Sequence, residues 1–87
     1  MGEHKFDVGD YALDSAEPTP SPEANTVQIV ELFDKRADEF VVEDTGKTVA
    51  EHNSWYPDDD LVVAGVYPHM GNPDRVWHFP ESRLMNV

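Results

Sequence analysis

Apolar residues fall in short runs whose spacing favours strands along almost the whole chain. In KFDVGDYALD, Phe6 and Val8 precede Gly9-Asp10, and Tyr11 and Leu13 then share one side of an extended segment. That alternation predicts a first strand entered through a turn at Gly9. SAEPTPSPEAN follows, with Pro18, Pro20 and Pro22 separated by small polar residues. Each proline removes a backbone donor and biases its predecessor to extended geometry, so residues 15–25 are predicted to form a loop of polyproline-like character.

TVQIVELFDKR sets Val27, Ile29 and Phe33 against Gln28, Val30 and Leu32 and is rich in β-branched residues, which predicts a strand. DKRAD breaks the pattern and EFVVED resumes it, so the two runs read as the arms of a hairpin. DTGK, Asp44 to Lys47, is a turn in which Gly46 suits positive φ. TVAEHN fits a third strand or a short helix, since Thr48 and Glu51 match a capping box; the nearby Pro57 favours the strand. LVVAGVY, Leu61 to Tyr67, is a continuous apolar run between DDD and Pro68, predicted as a central strand buried on both faces. PHMGNPD is a loop, RVWHF a final strand ended by Pro80, and PESRL one helical turn. Short strands with almost no helix point to a small barrel or rolled sheet that closes its own edges.

Charge changes the picture of the surface. Eighteen acids against six Lys and Arg give a net charge of -12, with the acids scattered along the 87 residues rather than gathered in a tail. Self-repulsion on this scale is largely screened at ~1 M salt, where the Debye length falls to ~3 Å. The composition resembles that of proteins from extreme halophiles, and on that reading the acidity answers the solvent and is no sign of a cationic partner. A chain of this length buries only a little over ~60% of its extended surface, which leaves room for a thin core and little for a deep catalytic cleft. The absence of cysteine removes thiolate zinc sites, disulfides and thiol redox chemistry. No apolar run approaches the ~20 residues of a membrane span, so a cytoplasmic protein is expected.

YALD, Tyr11 to Asp14, ahead of a long polar loop, and HFPESRL, His78 to Leu84, with its Phe-Pro step, resemble the opening and closing segments of SH3 domains. The resemblance implies residues 1–87 as one all-β domain, a small SH3-like barrel of five or six short strands with a C-terminal helical turn. It does not imply proline-peptide binding: Ser82 and Arg83 stand where the SH3 groove has Asn and Tyr, and Trp55-Tyr56 is no tryptophan pair. As a whole the chain also resembles the small acidic proteins of haloarchaea.

Chemical motifs are sparse. GKT at Gly46 to Thr48 lacks the preceding glycine of a phosphate loop, with Val41 in its place. PDDD offers carboxylates, but adjacent acids on an extended chain point to opposite sides, so only Asp58 and Asp60 could converge on a cation, with His52 as a further ligand. Zinc would need His52, His69 and His78 to meet in space, with Asp58 as the further ligand on offer. The serines have no nucleophile elbow around them. No cofactor is expected, and an enzyme or metal protein ranks below a binding protein. Nucleic acid is disfavoured because six bases under a charge of -12 do not assemble a phosphate groove, although Arg75 and Arg83 flank the Trp77 strand.

The aromatics carry the remaining signal. Phe6, Tyr11, Phe33, Phe40 and Tyr67 are expected in the core, and either Trp77 with Phe79 or His78 with Pro80 is expected to face outward. Trp55-Tyr56 lies in a loop, where rings are harder to bury. A patch of Trp55, Tyr56, Trp77, His78 and Arg83 is therefore the expected interface, for a protein partner or a second copy of the chain, since Trp, Tyr and Arg dominate binding hot spots.

Overall fold

The structure, a computed structural model, describes residues 4–16 and 24–86. It is all-β apart from one short helix and a 3-10 turn. The elements run β1 (Tyr11–Asp14), β2 (Thr26–Arg36), β3 (Val41–Val42), β4 (Lys47–Thr48), α1 (Val49–His52), β5 (Leu61–Val66), β6 (Trp77–Pro80), a 3-10 turn (Glu81–Arg83) and β7 (Leu84–Asn86). Five strands form an antiparallel sheet in the order β6-β5-β2-β1-β7, and β3 pairs with β4 in a separate ribbon. Most of the proline-rich loop lies outside the described residues.

Four expectations change. The barrel is not closed: β6 and β7 are the two edges of an open sheet, and the strands number seven among the described residues, with β7 after the Trp77 strand. β1 turns the other face inward. Ala12 and Asp14 are buried while Tyr11 is 52% exposed, because Ala12 lies opposite buried Val27 and Asp14 opposite buried Leu84. EFVVED forms no hairpin with β2; Val41 and Val42 pair instead with Thr48 and Lys47 across a turn in which Gly46 has φ 72. TVAEHN becomes a helix, not a strand: the Thr48 side chain accepts from Glu51 N and the Glu51 side chain accepts from Thr48 N. This reciprocal cap satisfies two donors that a helix start leaves orphaned, while buried Val49 anchors the turn.

β2 continues through the polar DKR to Arg36. Register shifts after Ile29 and after Leu32 break its strict alternation, so Val27, Ile29 and Leu32 reach one hydrophobic cluster and Phe33 another. The two clusters sit on opposite faces of β5, which is buried on both as expected. Val63 joins Phe6, Ala12, Val27, Ile29, Phe79 and Leu84. Val62 joins Ala37 and Val49, with Phe33, Phe40, Val42 and Ala50 partly buried against them. β5 is an interior strand, although the middle of the sheet is β2. Gly65 is needed where β5 crosses β2, since a Cβ there would overlap the Val27 side chain and crowd the Gln28 carbonyl.

A candidate binding cleft along the edge strand

Asp14 organises the surroundings of the cleft. Its side chain is wholly buried, and Arg83 grips it with two hydrogen bonds, Nε to Oδ1 and Nη2 to Oδ2, both 2.8 Å. The Tyr67 hydroxyl donates to Oδ2 at 2.5 Å and the Ala16 N–H donates to Oδ1 at 3.0 Å. Burial alone would push this carboxyl up, but the bonds from Arg83, Tyr67 and Ala16 hold it below its ordinary value. Arg83 also donates Nη1 to the Asn53 side chain at 2.8 Å, and Asn53 in turn donates to the Val49 carbonyl at 2.8 Å. One carboxylate thus ties together β1, the end of β5, the 3-10 turn and the C-terminal end of α1.

Beside this network lies an open cleft of about 900 Å³. One wall is the β3–β4 turn and α1, with Val41, Val42, Glu43, Asp44 and His52; the other is the segment from Met70 to Phe79. Arg75 to Phe79 line it without a gap. Alternation along β6 sends Trp77 and Phe79 to one face and His78 to the other, so the cleft follows the open edge of the sheet. On one face the His78 ring packs against Phe40 and Phe33, centroids 4.9 and 5.7 Å away. On the other, Tyr67 meets Trp77 and Phe79 edge to face. The Arg75 guanidinium lies over the Trp77 ring, 4.2 Å from its centroid. Burial pushes His78 below the usual imidazole range, opposed only by the charge of Glu31, so the ring is held toward its neutral form.

The expected interface residues separate. Trp77, His78 and Arg83 line the cleft together. Trp55 is not among its lining residues: it stands 93% exposed in its loop. Tyr56 is half-buried, with its hydroxyl 3.2 Å from Ser15 Oγ. Neither residue pair of the Trp77 strand faces wholly outward, since Phe79 and Pro80 are both buried, His78 is half-buried and Trp77 is 41% exposed. Phe33, Phe40 and Tyr67, expected in the core, each give part of a ring to the cleft. Tertiary packing brings them there, Phe33 and Phe40 through His78 and Tyr67 through Trp77 and Phe79, and no local motif announces it.

The acids of PDDD have structural partners. The Asp58 and Asp60 carbonyls accept from Asp38 N and Ala37 N, and the Asp60 carboxylate accepts from Ser82 N at 2.9 Å, capping the 3-10 turn. His52 Nε2 lies 2.6 Å from Thr45 Oγ1. Among the described residues no group of three or more His, Cys, Asp or Glu side chains is placed to hold a metal ion. Among them, too, no helix is long and apolar enough to cross a membrane. The chain matches no family model, no curated protein and no solved structure.

Proposed function

We propose that the protein is a non-catalytic interaction module of a high-salt cytoplasm, receiving a partner protein in the cleft along β6. The observation that carries this reading is the unbroken line Arg75 to Phe79 along an open sheet edge, with exposed Trp77 at its centre and Arg75 stacked on it. Exposed Trp and Arg in a concave apolar setting are the residues that dominate binding energy. The deeper charged pair, Arg83 with Asp14, is engaged in holding the fold together. The SH3-like resemblance is supported by the small antiparallel sheet and the 3-10 turn before its last strand, and proline-peptide recognition is no part of the proposal.

The test is affinity capture from a lysate of the source organism in ~2 M salt, with captured proteins identified for the parent chain, Trp77→Ala and Trp55→Ser. A partner held by the parent and by Trp55→Ser but lost from Trp77→Ala is expected. A partner lost only from Trp55→Ser moves the interface to the loop, and recovery of RNA alone ends the protein-partner reading. The halophilic part has its own test: the thermal midpoint should fall on dilution from ~2 M to ~0.1 M salt, and an unchanged midpoint contradicts it.

A further inference from the structure

We propose that the cleft takes its partner as an extended strand added to the outer edge of β6, with Arg75 reading an acidic side chain of that strand. This rests on the interaction-module reading and specifies what the module recognises.

Three observations meet at this edge. β6 is hydrogen-bonded to β5 on one side, from Trp77↔Gly65 to Pro80↔Val62, and is the last strand of the sheet on the other. Among the described residues no further backbone bond reaches Val76 to Phe79 from elsewhere in the chain. In an antiparallel ladder every second residue of an edge strand points its N–H and C=O outward, and the β6 residues Trp77 and His78 that present this edge also line the cleft. Phe79 is almost wholly buried and Pro80 has no N–H, which limits an added strand to the stretch from Arg75 to His78.

Charge selects the occupant. The Arg75 guanidinium rests on Trp77 and forms no ion pair or hydrogen bond within the described residues, so its fork of donors is available to a carboxylate. The opposite wall carries Glu43 and Asp44. A phosphate backbone tracking the cleft would meet those two carboxylates, whereas a peptide can place an acid at Arg75, apolar side chains on the rings and a base at the far wall. A second folded copy is the competing occupant: dimerisation of the unliganded chain at the titration concentration, seen by sedimentation and lost in Trp77→Ala, overturns the peptide reading.

Trp55→Phe leaves Trp77 as the sole tryptophan, so emission reports on the cleft. The probe is a mixture of blocked peptides, Lys-X-X-X-Glu with X drawn from Val, Ile and Phe, titrated at pH 7.5 in ~2 M salt. Saturable change in Trp77 emission is expected, weakened about tenfold by N-methylating alternate backbone amides on the pairing edge and by replacing Glu with Gln. In Arg75→Gln the affinity should drop by a similar factor, and the Glu-to-Gln change in the peptide should then have no further effect. Equal binding of the N-methylated peptides overturns strand addition, and unchanged binding by Arg75→Gln overturns the reading of the carboxylate. Absence of any saturable response, or tighter binding of an oligothymidylate, overturns the inference as a whole. Partner capture that depends on Trp77 would survive each of these results, so failure here is distinguishable from failure of the module reading.

Discussion

The two faces of β5 are finished in different ways. On the Val63 face, the neighbours Phe6, Ala12, Val27, Ile29, Phe79 and Leu84 are all buried. On the Val62 face only Ala37 and Val49 are, and the large rings Phe33 and Phe40 are left partly open, with half-buried His78 over them. The two guanidiniums differ as well. Arg83 grips a buried carboxylate, while Arg75 lies on an exposed tryptophan with no acid partner among the described residues. The domain is closed in the middle of its Val63 face and leaves partly open rings where both faces reach β6: Phe33, Phe40 and His78 on one, Tyr67 and Trp77 on the other.

That contrast can be broken most forcefully at its buried side. Phe79→Ala should cost ~3–5 kcal/mol, a large part of the stability of a domain this size, whereas Phe40→Ala should cost roughly half as much because its ring is already part-exposed; urea unfolding of both measures the difference. Arg83→Met should also be severe, ~3–5 kcal/mol, because it strands the Asp14 carboxylate in the interior, while Arg75→Gln should stay within ~0.5 kcal/mol in the same assay. The acid limb sharpens the point. The folded pKa of Asp14 is lowered from 3.8, so its contribution is complete above that value and is lost as the pH falls through the lowered one. In Arg83→Met only the bonds from Tyr67 and Ala16 are left to oppose burial, and acid unfolding should begin at higher pH.

A smaller effect is expected at the cleft wall. Thr48→Ala removes the reciprocal cap of α1 and should cost ~1 kcal/mol, with a larger relative loss of amide protection in Val49–His52 than in β5 by hydrogen exchange. The smallest effect concerns pH. Because burial lowers His78 from 6.5, its neutral form favours the fold: this contribution is complete above 6.5, declines as the pH falls through it, and levels off below the lowered value. Thermal midpoints between pH 7.5 and 5 should therefore fall less in His78→Phe than in the parent chain.

Period-two alternation and turn chemistry made most of the sheet legible: Tyr11 to Asp14, the long Thr26 strand, the doubly buried Leu61 run, Gly46 at positive φ and the turn after Pro80 all follow from local pattern. The inward face of β1 did not, because an aspartate looks like a surface residue until Arg83, sixty-nine positions away, is placed on it. The helix at Val49 was visible in its capping box, and Pro57 weighed wrongly against it, since the turn ends at Asn53 before the proline can interfere. β7 was missed because Leu84–Asn86 has no alternation of its own and becomes a strand only beside β1. At the site, Trp77, His78 and Arg83 were legible as aromatic and cationic residues on one strand and its turn. The facing wall was not, since Val41 to Asp44 reach the cleft through non-local packing. Trp55 stands apart from the cleft: its neighbour Tyr56 lies 3.2 Å from Ser15 Oγ through its hydroxyl, and its own ring stays in solvent.

The central claim is that recognition occurs along β6 and not at the Trp55 loop. Amide chemical-shift mapping of the isotopically labelled chain, titrated with the partner recovered by capture in ~2 M salt, tests it most directly. The largest shifts should trace Val41 to Asp44 and Arg75 to Phe79, with Ser54 to Asp59 nearly still; a footprint centred on Trp55 and Tyr56, with β6 unmoved, would contradict it.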